Sequence, residues 1–162
     1  MLSTFFELSA SKYARGPERV SDERAPMSWA STPGVRRSIL ANKRRDTGPE
    51  LAIRSSLHAL GLRYRVDFPP VRGLRRRADI AFTRRRIAIF IDGCFWHGCP
   101  LHATYPKRNS DYWLPKLRRN IERDRETDEQ LSVAGWIVLR IWEHEDPLVA
   151  ARRIEQAVRT LP

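Results

Sequence analysis

Residues 91–102 hold several of the side chains in this sequence that could bind a metal or move a proton. Cys94, Cys99 and His102 have the ligand types and the close spacing that Zn²⁺ prefers. A closed zinc site needs a fourth ligand. His144 is the best candidate, because it follows a strand that would end at the same sheet edge. The spacing therefore predicts a structural zinc, and the alternative is two reduced cysteines beside surface histidines.

Two aspartates stand at the ends of neighbouring predicted strands. Asp79 begins one strand and Asp92 ends the next, so both carboxylates would reach nearly the same place. Such a pair is suited to Mg²⁺, which steadies charge on a phosphate during phosphodiester hydrolysis. Taken separately, Asp79 could form a salt bridge to a neighbouring arginine, and Asp92 could be a turn residue. Their coincidence beside a histidine-rich loop favours the metal site.

Two further side chains have both a chemical and a structural interpretation. His97 is not needed for zinc and could be a general acid or base near neutral pH, or a surface histidine. Glu50 follows Thr47 in the spacing of a capping box, which explains it without catalysis.

Large aromatic residues lie between and after the proposed zinc ligands. Phe95 and Trp96 could cover a local core, or they could stack on DNA bases or wedge between them. Trp113, at the start of a predicted helix, has the same two interpretations. Spacing alone leaves both open.

The elements that must position these residues follow from periodicity and breaker residues. A helix opens at Thr47 and ends at Gly61, and a long helix and a last helix follow later in the chain. The predicted ranges are strands at 63–68, 78–82, 87–91 and 136–142, a helix at 111–134, and a last helix from Pro147. The order is αβββαβα, and the apolar third strand is expected inside the sheet.

Length and charge limit the classes of function. A chain of 162 residues suits one domain, and its net charge of +11 favours a polyanionic partner. Ile87–Ile91 is too short an apolar run to cross a bilayer, so we expect a soluble intracellular protein that binds nucleic acid. Residues 1–30 carry four basic and four acidic side chains and are predicted to be a weakly ordered tail, with Met27 as an alternative start. Residues 31–162 would then form the single domain.

Basic side chains recur along that domain and are expected to track phosphates. We take Arg44, Arg45 and Lys107 as candidate DNA contacts. The basic stretches are 36–37, 43–45, 75–77, 84–86, 107–108 and 116–119.

Several uncommon runs occur in an order that resembles the very-short-patch-repair endonucleases, over about residues 27–162. The runs are Arg44-Arg-Asp-Thr-Gly-Pro-Glu50, Gly93-Cys-Phe-Trp-His97, Asp111-Tyr-Trp-Leu-Pro-Lys116, Asn120-Ile-Glu-Arg-Asp-Arg125 and Gly135-Trp-Ile-Val-Leu-Arg-Ile-Trp-Glu143.

The resemblance implies an α/β, restriction-endonuclease-like fold with an αβββαβ core, a mixed central sheet and a C-terminal helix. It implies a Mg²⁺-dependent nick in one strand of double-stranded DNA, 5′ of the thymine in T:G mismatches that arise from 5-methylcytosine deamination. A structural zinc is also expected. We further expect a monomer in the bacterial cytoplasm at the nucleoid, with mismatch-repair proteins as candidate partners.

The resemblance also assigns residues. Asp79 matches the metal-binding aspartate, His97 a catalytic histidine and Glu50 an active-site glutamate. The aromatic residues that wedge into DNA are matched by Phe95, Trp96 and Trp113.

This sequence departs from the family pattern before Gly93. Threonine and histidine are replaced by Ile91 and Asp92. The Ile91 main-chain carbonyl can still serve as a metal ligand, and Asp92 is expected to add a carboxylate ligand. The identity of the general base stays open.

Two other functions fit part of the pattern. A non-catalytic zinc-dependent DNA-binding module would explain the charge, the zinc loop and the aromatics, but not the paired aspartates. A nuclease of the same fold with a different DNA target would explain all of them.

Overall fold

The computed structural model describes residues 45–104, 106–107 and 109–160, together with positions 34, 37 and 43. The predicted tail at 1–30, with Met27, lies outside these residues, as does Arg44. The elements are α1 (Gly48–Ala59), β1 (Arg65–Phe68), β2 (Ala78–Phe82), β3 (Ile87–Asp92), α2 (Ser110–Val133), β4 (Ile137–Trp142) and α3 (Pro147–Thr160). The predicted order αβββαβα is confirmed. Within the described part of the chain, no helix is both long and apolar enough to cross a membrane.

The four strands form one mixed sheet in the order β1-β2-β3-β4. β1 pairs with β2 and β2 with β3 in antiparallel fashion, whereas β3 and β4 are parallel. Ile89 pairs with Ile80 on one side and with Leu139 on the other, so the apolar third strand is interior, as predicted. This confirms the α/β fold with a mixed central sheet, consistent with a restriction-endonuclease-like core.

The two faces of the sheet bury different side chains, because successive residues of a strand point to opposite sides. Ile87 and Ile89 pack with residues of α1 and α3, while Ala88 packs with Leu131 of α2. Burial of each isoleucine contributes about 1.5–3 kcal/mol. The bulky face therefore supplies much of the stability, and small residues such as Ala81 and Ala88 face α2.

Strict alternation along the predicted strand at 63–68 would place Tyr64, Val66 and Phe68 on one face, and that expectation is wrong. Tyr64 packs against the α1 and α3 side, whereas Phe68 packs against the α2 side. Between them, Asp67 adopts a left-handed backbone conformation with φ of 48°, and its carboxylate accepts a hydrogen bond from Arg77 Nε at 2.7 Å. This conformation interrupts the simple alternation that the sequence pattern assumed.

Candidate active site and metal centre

One edge of the sheet gathers the start of β2 and the ends of β3 and β4. This follows from topology, because β2 runs antiparallel to β3 and β4 runs parallel to it. A cleft of about 630 Å³ opens there. Its acidic lining residues are Glu50, Asp67, Asp79, Asp92, Asp124 and Glu143, and its basic ones are Lys43, Arg45, Arg75, Arg76, Arg77, Arg123 and Arg140.

Of the carboxylates in the cleft, Asp79 has the most strongly shifted pKa. Its Oδ2 accepts a hydrogen bond from the Ile91 main-chain N–H at 2.7 Å. Burial raises its pKa to about 7; the Ile91 hydrogen bond opposes this, and the charges of Glu50 and Asp92 add to it. The salt bridge considered from sequence is absent among the described residues, since Arg77 bonds Asp67 and Arg76 bonds Thr127. Oxygen donors crowded in this way form an environment that a hard cation would stabilise.

Glu50 has a structural role at the start of α1 and also lines the cleft. The helix begins at Gly48 as predicted, but Thr47 donates its hydroxyl to Glu50 Oε1 at 3.0 Å instead of capping a main-chain N–H. Glu50 Oε2 accepts the main-chain N–H of Asp46, one residue before the N-cap Thr47, at 2.9 Å, so neither hydrogen bond of the predicted capping box forms among the described residues. Its side chain is buried, with 4% of the residue exposed.

His97 is held by a carboxylate that the sequence interpretation did not single out. Its Nδ1 lies 2.6 Å from Asp124 Oδ2 and 3.6 Å from Asp92 Oδ1. Burial alone would lower the pKa of His97, but the Asp124 hydrogen bond and the nearby negative charges outweigh it, so that this pKa is raised. The bonding of Nδ1 to Asp124 leaves Nε2 as the ring nitrogen for other contacts.

Asp92 is buried, and both of its carboxylate oxygens are engaged. Arg140 Nη1 donates to Oδ1 at 3.0 Å and to Oδ2 at 2.7 Å. Burial raises the pKa of Asp92, and the Arg140 charge opposes that rise. The carboxylate predicted as a metal ligand is thus paired with an arginine in this conformation.

Arg140 joins Asp92 to helix α2. It donates to Asp128 Oδ1 at 2.9 Å through Nη2 and to the Asp124 main-chain carbonyl at 3.2 Å. A sequence signal for these residues existed: Arg140 is the only charged residue of strand β4. Asp124 and Asp128 stand at helical spacing on the stripe that includes Leu117, Ile121 and Leu131.

The four predicted zinc ligands come together. Asp92 pairs with Trp142 in the parallel β3–β4 register, so Cys94 and His144 each lie two residues beyond a matched pair. Cys94 Sγ is 3.1 Å from His144 Nδ1, and the candidate ligand atoms of Cys94, Cys99, His102 and His144 all lie within 4.8 Å of one another. A Cys₂His₂ set of this compactness fits a tetrahedral zinc.

Two contacts fix the loop that carries these ligands. Glu143 Oε1 accepts the Cys94 main-chain N–H at 2.6 Å. Gly98 has φ of 68°, a backbone conformation that residues with side chains rarely adopt, and a Cβ there would lie 2.7 Å from the Ile121 Cδ1 methyl, which would have to shift. Burial raises the pKa of the Cys94 thiol to about 11. A bound metal would favour the thiolate and release the thiol proton.

The three predicted wedge aromatics form one cluster. The Phe95 ring centroid is 5.0 Å from that of Trp96 and 5.9 Å from that of Trp113. Trp113 is buried, with 4% exposed, whereas Phe95 and Trp96 are partly exposed. Lys116 Nζ lies 5.2–5.5 Å from the ring centroids of Trp96 and Trp113. Phe95 and Trp96 are therefore the more accessible rings, and Trp113 supports them from within.

Two of the three predicted phosphate contacts, Arg45 and Lys107, lie among the described residues. The side chain of Arg45 is 55% exposed, lines the cleft and pairs with Asp67 at 3.4 Å. Lys107 is exposed.

A mixed sheet with carboxylates and a histidine at one edge, in a cleft lined by arginines, defines a nuclease of the restriction-endonuclease-like class. A family model described as DNA mismatch endonuclease Vsr matches residues 31–102. The chain is 54% identical to the type II nicking enzyme V.NaeI of Lentzea aerocolonigenes, over 70% of this chain and 69% of that enzyme.

Two further relatives extend the comparison. Identity is 38% to the type II nicking enzyme V.NmeDIP of Neisseria meningitidis serogroup C, over 79% of this chain and 88% of that enzyme. Identity is 39% to the DNA mismatch endonuclease Vsr of Escherichia coli K12, over 61% of this chain and 62% of that enzyme. The chain belongs to the very-short-patch-repair (Vsr) endonuclease family and is a DNA-nicking endonuclease. The family thus favours an enzyme over the non-catalytic zinc-dependent DNA-binding module.

Proposed function

We propose that this enzyme nicks one strand of double-stranded DNA, 5′ of the thymine in a T:G mismatch, and that it depends on Mg²⁺. One observation carries the proposal: Asp79, in its cluster of carboxylates, shares a cleft with His97 and Trp96. The loop that holds the histidine thus also carries Phe95 and Trp96. The name of the Escherichia coli relative, a DNA mismatch endonuclease, supports the mismatch as the target.

The residues divide into roles in this proposal. Asp79 and the Ile91 carbonyl would hold Mg²⁺, which when bound stabilises negative charge on the phosphate. His97, with Nδ1 on Asp124, takes a proton from the attacking water at Nε2, or gives one to the leaving oxygen from it. Glu50 adds its charge to the same cluster and anchors the start of α1 beside it.

Recognition is assigned to the aromatic cluster. Phe95 and Trp96 enter the base stack at the mismatch, at a cost of roughly a few kcal/mol per unstacked step. A mismatched pair resists less than a matched one, which contributes selectivity. Zinc held by Cys94 and its three partners keeps the loop in place for this insertion.

The deciding experiment compares nicking of a T:G duplex with that of the matched T:A duplex of the same flanking sequence. Each duplex is tested with Mg²⁺, without it, and with the Asp79→Ala variant, whose DNA binding should persist. We expect Mg²⁺-dependent nicking of the T:G duplex by the wild type alone. Nicking without Mg²⁺, or by the variant at more than a small fraction of the wild-type rate, would overturn the catalytic assignment.

A DNA target other than the T:G mismatch is the second candidate, because the names of two of the relatives mention nicking and no mismatch. An enzyme of this fold with another DNA target would nick T:G and T:A duplexes equally. Repeating the comparison over several flanking sequences separates the two targets.

A further inference from the structure

Two carboxylates lie near the same nitrogen of His97. Asp124 Oδ2 is 2.6 Å from Nδ1, and Asp92 Oδ1 is 3.6 Å from it. A single N–H can be directed well at one of them. The orientation of the ring therefore depends on which carboxylate is free to approach.

Arg140 lies where it can bind one of these two carboxylates, that of Asp92. Its Nη1 contacts both oxygens of Asp92 at 2.7–3.0 Å. Its Nη2 bonds the Asp124 main-chain carbonyl and lies 3.6 Å from Asp124 Oδ1, so that Oδ2 of Asp124 is left to His97. The guanidinium is itself held, because Asp128 accepts from Nε and Nη2, and the Phe90 ring centroid lies 5.0 Å from Cζ. A planar fork fixed on several sides is more rigid than a lysine ammonium would be.

We propose that Arg140 is a positioning residue for DNA nicking: it binds Asp92, so that His97 Nδ1 pairs with Asp124 alone and Nε2 remains available for proton transfer. This inference rests on the proposed role of His97. It also gives Asp92 a different role from the metal ligand predicted from sequence. Asp92 is the partner of Arg140, and the metal is left to Asp79.

The burial of the group supports this division. The side chain of Asp92 is 5% exposed and that of Arg140 22%, so removal of the arginine would leave a buried carboxylate without its cation. Such a carboxylate could recruit His97, whose Nδ1 already lies 3.6 Å from Asp92 Oδ1. Replacement of Arg140 alone should therefore disturb the orientation of the His97 ring more than replacement of Arg140 and Asp92 together.

The test is a variant cycle on the full chain: Arg140→Met, Asp92→Asn and the double variant, with Arg140→Lys as the conservative change. Arg159→Met is the matched control, because Arg159 forms an exposed pair with Glu155 on α3. Single-turnover nicking rate, KM for DNA and the Mg²⁺ concentration for half-maximal rate are measured for each.

We expect Arg140→Met to lower the rate about 10- to 100-fold, by analogy with residues that orient a metal-bound histidine. Its KM should stay near that of the wild type. The double variant should nick faster than Arg140→Met, and Arg140→Lys should lie between Arg140→Met and wild type. In Asp92→Asn the half-saturating Mg²⁺ concentration should stay within about twofold of wild type, because Asp92 is not a ligand.

A spectroscopic measurement keeps the test independent of activity. The ¹⁵N shifts of the His97 ring, assigned by their loss in His97→Gln, should report an Nδ1–H tautomer in the wild type and the double variant. They should change in Arg140→Met. If that variant does not fold, Arg140→Lys takes its place: it should nick more slowly than the wild type, and a wild-type rate in it would overturn the inference.

Three results would overturn the inference. They are wild-type rates in Arg140→Met, a double variant no better than the single one, and an Asp92→Asn variant that needs more than about tenfold extra Mg²⁺. Wild-type nicking by His97→Gln would instead refute the proposed role of the histidine, while the ring shifts would still decide whether Arg140 positions it.

Discussion

Replacement of Asp79 by asparagine should make the protein inactive and more stable. Burial raises the pKa of Asp79 from 3.8 to about 7, so its charge opposes folding at neutral pH. The unfolded chain loses this proton near pH 4 and the folded chain near pH 7, so stability falls as pH rises between these values. Asparagine removes the charge yet can still accept the hydrogen bond from the Ile91 N–H.

The size of the effect follows from the shift. One pKa unit corresponds to about 1.4 kcal/mol, which gives an upper bound of about 4 kcal/mol for Asp79 above pH 7. Partial exposure of the side chain reduces this, and we expect on the order of 2–4 kcal/mol. For a domain of this size that corresponds to a rise in Tm of about 5–15 °C at pH 8. At pH 5 the gain should shrink to roughly a third.

Thermal melts at pH 5 and pH 8, without added Mg²⁺, measure the effect. Asp67→Asn is the control. The Arg77 hydrogen bond lowers the pKa of Asp67, burial opposes it less strongly, and Arg45 adds to the lowering, so loss of this carboxylate should not stabilise the fold. Addition of Mg²⁺ should raise the Tm of the wild type and leave Asp79→Asn unchanged. A variant no more stable than wild type at pH 8 would refute the reasoning.

Three other predictions concern the metals and the aromatic loop. The Mg²⁺ concentration for half-maximal nicking should rise about tenfold from pH 8 to pH 6, because protons compete for Asp79; equal values at both pH values would contradict this. Elemental analysis should find about one zinc per chain, and Cys94→Ser should lose it and melt lower; a metal-free wild type of unchanged stability would argue against the site. The Phe95→Ala, Trp96→Ala double variant should bind T:G duplex at least about tenfold more weakly and lose its preference over T:A. It should melt only a few degrees lower, since Trp113 keeps the buried position; a large drop in Tm with the preference retained would assign both rings to the core.

The elements of the fold were predictable because their signals are local. Ile87 to Ile91 is apolar throughout, and Gly61 and Gly135 mark ends of helices with positive φ. The zinc set was predictable for a different reason. His144 follows a strand parallel to the one before Cys94, so topology brings it to the same edge.

The network behind His97 was harder to predict, because its members matter only in combination. Asp124 and Asp128 look like solvated charges of a long helix, and Arg140 looks like an exposed residue of a strand. Only the packing of α2 across β4 shows that the guanidinium bonds both aspartates. A polar residue at an inward position of an amphipathic pattern is the signal that could have found them.

The distribution of charge at the sheet edge argues for where a divalent cation would bind. Arg140 offsets Asp92 and Asp128, and His97 offsets Asp124, so these carboxylates have cationic or donor partners from the chain itself. Among the described residues, Asp79 accepts a hydrogen bond from the Ile91 main-chain N–H and has no ion pair. The charges of Glu50 and Asp92 disfavour its ionised form more than the charge of His97 favours it. Folding to this state costs stability, which is the expected sign of a residue retained for function. The arrangement therefore leaves the least compensated negative charge on Asp79. A divalent cation would be bound most favourably there, and removal of the cation should affect Asp79 more than the other carboxylates.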